Sequence, residues 1–233
     1  MERRAWLDER RAAVEEDYTR TADTYDVGDI PITPTHRRFV TRLLDTCPPD
    51  GTVLDAPCGT GKYFGMVRDA GRHVAGLDQS AGMLAQAEAK GLATRLEKVG
   101  LQEMSFVAEF DGSMTVDALE NVPPEDWPLV LSNLHRAVRP GGHLYFTVEE
   151  VDDEAEIDAA FADLSGRGLP AVRGEVIEGD VAGYHYYPGR ERVERWIADE
   201  GLVVVEDGYN QEDGWGYRHF LVRDAPGQPD LQG

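Results

Sequence analysis

VLDAPCGTG, at residues 53–61, is an apolar run that leads into an acidic turn with two glycines, and a helical pattern follows it. At Gly59 and Gly61 the missing side chain lets a ligand approach the backbone. The amides that open a helix carry partial positive charge, which favours a carboxylate or a phosphate. This stretch therefore predicts a strand, a nucleoside-binding loop and a helix, in that order.

A second short apolar run, HVAGLD at residues 73–78, also ends in an acid. Asp78 lies where a βαβ nucleotide-binding unit carries the carboxylate that binds the ribose. The carboxyl ends of neighbouring parallel strands meet at one edge of a sheet. Asp55 and Asp78 are therefore expected to converge on one ligand.

Three kinds of ligand compete for this loop. A P-loop is excluded, because Ala56 replaces the first glycine of its motif and Tyr63 stands after Lys62 in place of the serine or threonine that binds magnesium. A dinucleotide is disfavoured, because Phe64 takes the third glycine position of its motif. The anionic Asp55 repels a pyrophosphate and suits a cation with an ammonium and a sulfonium. S-adenosylmethionine carries both, which leaves a nicotinamide-dependent oxidoreductase as the weaker alternative.

On these motifs the chain resembles the class I S-adenosylmethionine-dependent methyltransferases of the bacterial small-molecule type. Residues 53–61 resemble the first motif of that family, and GLDQS at residues 76–80 resembles the second. Residues 110–122 resemble its fourth strand, and residues 134–144 resemble the helix, turn and fifth strand that follow. The resemblance implies an α/β fold with a Rossmann-like class I methyltransferase sheet, mostly parallel with a carboxy-terminal antiparallel hairpin and with helices on both faces.

The resemblance also implies which residues hold S-adenosylmethionine, with S-adenosylhomocysteine as the product. The chain departs from the family at Gly100, where an acid often contacts the adenine, so Gln102, Glu103 or backbone amides are expected to make that contact. The implied cofactor-binding residues are Asp55, Ala56, Gly59, Gly61, Asp78, Gln79, Leu101, Gln102, Glu103 and Asp117.

Strand and helix patterns alternate through the middle of the chain. This alternation predicts right-handed crossovers and a parallel sheet that is covered on both faces, with ligands beyond the carboxyl ends of the strands. The predicted strands are 53–55, 73–78, 94–99, 113–118 and 143–148, and the predicted helices between them are 62–70, 80–89 and 125–138.

Further elements are predicted on both sides of this core. They are helices at 1–20 and 34–44, an acidic helix at 152–164, a strand at 174–187, a helix at 190–200, and two strands at 202–209 and 215–223 that a turn at 211–214 joins into a hairpin. We expect an amino-terminal helical lid at 1–45, the cofactor-binding core at 46–150, an acceptor insertion with the closing hairpin of the same domain at 151–223, and a flexible tail at 224–233.

Aromatic side chains cluster in the insertion, at residues 184–187. We hypothesise that they wall the acceptor site together with tyrosines of the amino-terminal segment. The alternative is that alternate residues of this strand pack on the core. The predicted acceptor residues are Tyr18, Tyr25, Glu120, Tyr184, His185 and Tyr186.

Methyl transfer is an in-line displacement at a carbon that the sulfonium already activates, so the protein mainly supplies alignment and excludes water. A dedicated base is needed only if the acceptor must lose a proton. His185 is then the preferred base, because histidine titrates near neutrality, and Asp117 is the second catalytic candidate. A structural role for His185 is an equally open alternative.

Composition limits the partners. The net charge is −21, with 44 acidic and 23 basic residues, which disfavours a nucleic-acid substrate. Cys47 and Cys58 cannot build a disulfide scaffold or a zinc site, and the histidines lack metal-ligand spacing, so no metal is expected. No window approaches about 20 apolar residues, so no membrane partner is expected and the location is predicted to be cytoplasmic.

The predicted function is therefore transfer of a methyl group from S-adenosylmethionine to an O or N atom of a small molecule, in secondary metabolism, by a protein that could form a homodimer. A domain that binds S-adenosylmethionine or S-adenosylhomocysteine without catalysis is the alternative from another class.

Overall fold

The fold is described from a computed structural model, which covers residues 2–27, 31–151, 153–177, 183–211 and 215–226. Five predicted features lie partly or wholly outside these residues. They are the start of the first helix at residue 1, the start of the acidic helix at 152, the middle of the predicted strand at 178–182, the hairpin turn at 212–214 and most of the tail at 227–233.

Seven strands form the main sheet. Five run parallel to one another: β1 (Thr52–Asp55), β2 (His73–Asp78), β3 (Arg95–Lys98), β4 (Phe110–Thr115) and β5 (Val138–Val151). β8 (Leu202–Gln211) and β9 (Trp215–Asp224) form an antiparallel hairpin, and β9 also pairs antiparallel with β5. The spatial order is β3-β2-β1-β4-β5-β9-β8, which confirms the predicted mostly parallel sheet with its carboxy-terminal hairpin.

Seven helices occur in the described residues, and the predicted helices are all among them, with shifted ends. They are α1 (Arg3–Tyr25), α2 (Pro34–Thr46), α3 (Phe64–Asp69), α4 (Ala81–Ala89), α5 (Trp127–Ala137), α6 (Glu154–Gly166) and α7 (Arg190–Asp199). The start of α4 shows a local cause, because the Ser80 hydroxyl accepts the Met83 N–H at 3.1 Å. None of these helices has the length and apolar character of a membrane span.

Side chains of β1 show that helices cover both faces of the sheet. Val53 packs in a cluster with Phe39 of α2, whereas the adjacent Leu54 packs in another cluster with Trp127 of α5. Successive residues of a strand point to opposite faces, so two apolar neighbours require a core on each side. The prediction of helices on both faces is confirmed.

β4 lies three residues earlier than predicted, at Phe110–Thr115 instead of 113–118. Val116 and Ala118 continue the apolar pattern, but they line a cavity at the end of the strand. Asp117 therefore lies beyond β4, with a left-handed φ of 51°. β5 is longer than predicted at both ends, because Val138 pairs with Phe110 of β4 and the far end pairs with β9 as far as Val151.

The predicted single strand at 174–187 is wrong. Its described parts form two short strands, β6 (Glu175–Ile177) and β7 (Tyr184–Tyr186), which pair with each other as a separate antiparallel sheet. A continuous strand would have needed a neighbour along its whole length, and here the chain supplies its own partner.

α1 packs along α4 and reaches the edge where the parallel strands end. A Cβ atom on Gly82 of α4 would lie 2.5 Å from the carbonyl oxygen of Thr19, so only glycine permits this approach. The hydroxyls of Thr19 and Ser80 are 2.9 Å apart. These contacts place the side chains of Tyr18 and Tyr25 at the cavity.

Candidate functional site

A cavity of about 550 Å³ opens where β1, β2 and β4 end. Asp55 ends β1, Asp78 ends β2 and Asp117 follows β4, and all three line the cavity. Its volume is within the range of about 300–1,000 Å³ that small-molecule sites occupy. The three carboxylates meet at one edge, as expected from the parallel strands.

The loop after β1 is held by Asp78. Its Oδ2 accepts the Gly59 N–H at 2.9 Å and its Oδ1 accepts the Ser80 N–H at 2.8 Å. Gly59 has a φ of 52°, and no atom lies within 4 Å of the position that its Cβ would take. Because the Gly59 amide is already bonded to a carboxylate, it is not available to a phosphate. This bond removes one of the backbone donors that a pyrophosphate could use, which weakens the dinucleotide alternative further.

Asp55 is a buried carboxyl group, with 1% of its surface exposed. Its Oδ2 has no hydrogen-bond partner within the described part of the chain. Burial raises the pKa of Asp55 well above its usual range, and the charge of Asp78 adds to the increase. A buried acceptor without a donor is costly, and a cationic donor in the cavity would remove that cost. This oxygen fits the ammonium group that the sequence predicts there.

Two other predicted cofactor residues shape the loop without lining the cavity. Ala56 is fully buried in the core, and its N–H donates to the Met114 carbonyl at 3.0 Å. Gly61, with a φ of 79°, lies against the ring of Phe64. Their predicted direct contact with the cofactor stays a prediction.

The loop after β3 forms another part of the wall through Gly100, Leu101 and Gln102. Glu103 is tied to Arg11 of α1, whose Nη1 donates to Oε1 at 2.6 Å, and it does not line the cavity. The same guanidinium donates to Gln79 Oε1 at 3.3 Å. Arg11 engages the Glu103 carboxylate, so Gln102 and the backbone of this loop are the adenine candidates that line the cavity, and the contact itself stays a prediction.

Asp117 is held by partners that the sequence did not reveal. His36 Nε2 lies 2.9 Å from Asp117 Oδ1, and the Thr147 hydroxyl lies 3.3 Å from the same oxygen. The Asp117 N–H donates to Thr147 Oγ1 at 2.7 Å, which fixes the strained backbone. His36 Nδ1 lies 2.7 Å from the hydroxyl of Thr33, the N-cap of α2. The imidazole is buried, so it positions Asp117 from behind the cavity wall.

His185 and Glu120 lie outside the cavity wall, contrary to their predicted roles at the acceptor. His185 Nδ1 is 3.0 Å from Glu149 Oε2, and the side chain is partly buried on β7. Glu120 is buried in a 3₁₀ turn (Leu119–Asn121), and its neighbour Asn121 lines the cavity instead. The predicted contacts of these two side chains with an acceptor stay predictions.

Tyr184 and Tyr186 are core residues, and their predicted place in the acceptor wall is corrected. Alternate residues of β7 face one side of the strand, and this side is buried. The Tyr184 hydroxyl donates to Glu175 Oε1 at 2.7 Å, and Arg192 bonds to the Tyr186 hydroxyl. Of the predicted aromatic acceptor residues, Tyr18 and Tyr25 line the cavity, with ring centroids 6.0 Å apart.

Replacing Glu120 with glutamine is expected to stabilise the protein at high pH and to have little effect at low pH. Burial, followed by the charges of Glu149 and Asp117, raises the pKa of Glu120 to about 8, while His185 acts in the opposite direction. The folded state then binds more protons than the unfolded state between pH 4.5, the usual pKa of glutamate, and pH 8, so stability falls as the pH rises through that window.

Calorimetric unfolding at pH 5 and pH 8 tests this expectation. The free energy of unfolding of the glutamine variant should exceed that of the wild type by a few kcal/mol at pH 8 and by almost nothing at pH 5. Glu16→Gln, at an exposed position of α1, is the matched control and should show no such difference. An equal effect of Glu120→Gln at both pH values would contradict the raised pKa.

Comparisons with known proteins agree with this site. Residues 53–142 match the family model described as a methyltransferase domain. The malonyl-[acyl-carrier protein] O-methyltransferase of Erwinia billingiae is 37% identical over 51% of this chain and 46% of its own length. The trans-aconitate 2-methyltransferase of Deinococcus radiodurans is 38% identical over 46% of this chain and 41% of its own length. The chain spans about half the length of the curated relatives it matches.

A solved structure shares the whole fold. The 1,6-didemethyltoxoflavin-N1-methyltransferase of Burkholderia thailandensis, crystallised with its acceptor and S-adenosylhomocysteine, superposes with a TM-score of 0.68 at 17% identity. The match covers 92% of this chain and 88% of that one. The family model, the relatives and the sheet order agree with the resemblance found in the motifs, and residues 53–142 form a methyltransferase domain.

Proposed function

We propose that the protein transfers the methyl group of S-adenosylmethionine to an O or N atom of a small molecule. The observation that carries this proposal is the buried Oδ2 of Asp55, which has no hydrogen-bond partner among the described residues and lies beside a loop that Asp78 holds at Gly59. A cationic amino acid joined to a nucleoside matches the donor that Asp55 lacks. It also matches the remaining acceptor capacity of the Asp78 carboxylate, which can still bind ribose hydroxyls.

Each part of the cavity has a role in this proposal. Asp55 would bind the ammonium group of the cofactor, Asp78 the ribose, and residues 99–102 the adenine, through backbone groups and the Gln102 side chain. Tyr18 and Tyr25 of α1 would cover the reacting groups and exclude water. Asp117 would line the same end of the cavity in a fixed position, since His36 and Thr147 hold one of its oxygens and its backbone.

When it is bound, S-adenosylmethionine supplies an electrophilic methyl group on a positively charged sulfur. The protein then has to bring the acceptor into line and keep water away, and both tasks depend on fixed geometry. The carboxylates at this edge of the sheet attract the sulfonium of S-adenosylmethionine more strongly than the uncharged sulfur of S-adenosylhomocysteine. This difference helps the product to leave.

The acceptor class is drawn from the relatives as well as from the cavity. Both curated relatives are named as methyltransferases of small acids or their carrier-bound forms, and the cavity has the volume of a small-molecule site. A role in secondary metabolism, a cytoplasmic location and a homodimer belong to the same proposal.

Titration calorimetry and a transfer assay test the proposal. We expect S-adenosylhomocysteine to bind with a micromolar Kd and NAD to show no heat at the same concentrations, because the Gly59 amide is not available to a phosphate. Labelled S-adenosylmethionine should then release its methyl group to an added acceptor. Binding of NAD in place of S-adenosylhomocysteine would overturn the proposal. Binding of S-adenosylhomocysteine without transfer to any acceptor would favour the non-catalytic alternative.

A further inference from the structure

Four basic side chains lie among the described residues that line the cavity, and two of them form no salt bridge there. Arg11 is bonded to Glu103, and Lys90 Nζ lies 2.9 Å from Asp26 Oδ2. Arg37 of α2 and Lys62 of the loop before α3 line the same cavity, and within the described residues neither has a carboxylate partner. In a chain with a net charge of −21, two cations without a salt bridge in one cavity provide a local site for an anion.

Tyr63 supplies a second, independent observation. Its side chain lines the cavity and is 5% exposed, and its hydroxyl is buried with no hydrogen-bond partner in the described part of the structure. Burial, followed by the charge of Asp117, raises the pKa of Tyr63, so the hydroxyl keeps its proton and acts as a donor. A buried donor without an acceptor costs free energy that a ligand oxygen would recover.

The acidic groups of the wall are, in contrast, largely engaged. Asp26 is bonded to Lys90 and to the Thr60 hydroxyl, and Asp117 Oδ1 is bonded to His36. Asp78 accepts two backbone N–H groups, and Asp55 is assigned to the cofactor ammonium in the proposed function. The groups left for an acceptor are therefore mostly donors and cations, which disfavours a protonated amine and favours an oxyanion.

We infer that the methyl acceptor is a small carboxylic acid, bound as its anion by Arg37 and Lys62 with a hydrogen bond from the Tyr63 hydroxyl. This inference rests on the proposed function and deepens it. Arginine and lysine form charge-assisted hydrogen bonds with carboxylates, and such bonds are about twice as strong as neutral ones. Held by one oxygen, the carboxylate presents the other to the methyl group.

The reaction balances without a base. The free carboxylate oxygen attacks the methyl carbon and forms a C–O bond, the C–S bond breaks, and its electron pair goes to sulfur. The products are a methyl ester and S-adenosylhomocysteine, and no proton moves. A carboxylate is already ionised at neutral pH, so the placement of His185 and Glu120 outside the cavity wall creates no difficulty.

S-adenosylmethionine also has a carboxylate. The experiment must therefore show whether Arg37 and Lys62 bind the carboxylate of the cofactor or that of the acceptor. Five proteins are titrated with S-adenosylhomocysteine: the wild type, Arg37→Gln, Lys62→Gln, Tyr63→Phe and the Arg37→Gln/Lys62→Gln double variant. Each complex is then titrated with benzoate, adipate and trans-aconitate. Arg68→Gln is the matched control, because Arg68 is an exposed arginine of α3 that does not line the cavity.

Turnover is measured with methyl-labelled S-adenosylmethionine and the same acids beside benzyl alcohol, phenol and benzylamine. Mild alkali releases labelled methanol from a methyl ester but not from a methyl ether or an N-methyl group. We expect at least one acid to bind the complex and to give a base-labile product. Its KM should rise about 10-fold or more in Arg37→Gln or Lys62→Gln, and further in the double variant, while the Kd of S-adenosylhomocysteine stays within about 2-fold.

Three results would overturn the inference. A loss of S-adenosylhomocysteine affinity equal to the rise in KM would assign the two cations to the cofactor. A base-stable product with the alcohol, phenol or amine would assign another acceptor class. A complex that binds none of the acids would leave the cations without this role. Failure of the proposed function itself is distinct, because wild-type protein would then not bind S-adenosylhomocysteine at all.

Discussion

Asp78→Ala is expected to reduce the affinity for S-adenosylhomocysteine by roughly 100-fold or more. The substitution removes the carboxylate that accepts the N–H groups of Gly59 and Ser80 and that is proposed to bind the ribose. Each hydrogen bond from a ribose hydroxyl to this charged group would contribute about 1.5–3 kcal/mol to binding, so the loss of two of them exceeds two orders of magnitude in Kd. Titration calorimetry measures the change directly.

Two further variants separate charge from shape. Asp78→Asn keeps the side-chain size but loses the charge and replaces one acceptor with a donor, so we expect an intermediate affinity. Asp69→Ala, at an exposed position at the end of α3, is the control and should bind as the wild type does. A Kd for Asp78→Ala within about 3-fold of the wild-type value, in a protein with an unchanged circular dichroism spectrum, would disprove the role of this carboxylate.

Gly61→Ala is expected to destabilise the protein by about 3 kcal/mol, which corresponds to a fall in Tm of roughly 6–12 °C for a chain of this size. The backbone of Gly61 has a φ of 79°, where a side chain is strained. The new Cβ would also lie 2.6 Å from Cδ2 and Cε2 of Phe64. The Phe64 ring is fully buried in the core and cannot move aside cheaply.

Gly91→Ala is the matched control for that experiment. Gly91 also has a positive φ, 63°, but no atom lies within 4 Å of its Cβ position. The free energy of unfolding of Gly91→Ala should fall only by the cost of backbone strain, about 1 kcal/mol. The difference between the two alanine variants in thermal unfolding then reports the overlap with Phe64. Equal losses in both would show that the Phe64 ring does not restrict this position.

The cofactor edge of the sheet was predictable because it is encoded locally. The acids at the ends of β1 and β2 are adjacent in sequence to the apolar runs that form those strands, and parallel pairing brings them together. Gly59 and Asp78 could be assigned to one site for the same reason. The hairpin of β8 and β9 was predictable from two apolar runs with a short gap between them. The roles assigned to these residues, and the division into lid, core and insertion, stay predictions.

The long-range partners were not predictable from local patterns. His36 and Asp117 are 81 positions apart, and Arg11 and Glu103 are 92 apart, so no periodicity links either pair. The single histidine on α2 gave no sign of its partner. The roles of Tyr184 and Tyr186 were mistaken for another reason. Aromatic residues on a short strand suit a core as well as a binding wall, and only the burial of one face of β7 distinguishes the two.

The bridge that Arg11 forms with Gln79 and Glu103 has a consequence for turnover. Both partners belong to loops at the cofactor edge, whereas Arg11 belongs to α1, so this guanidinium and the Thr19–Ser80 contact fasten the amino-terminal helix across the place where a nucleoside would sit. Under the proposed function, S-adenosylhomocysteine can leave on this side only after these contacts of α1 have broken. Stronger contacts would keep water out of the cavity but slow the release of S-adenosylhomocysteine. Weaker contacts would speed the exchange of cofactor for product but let water in.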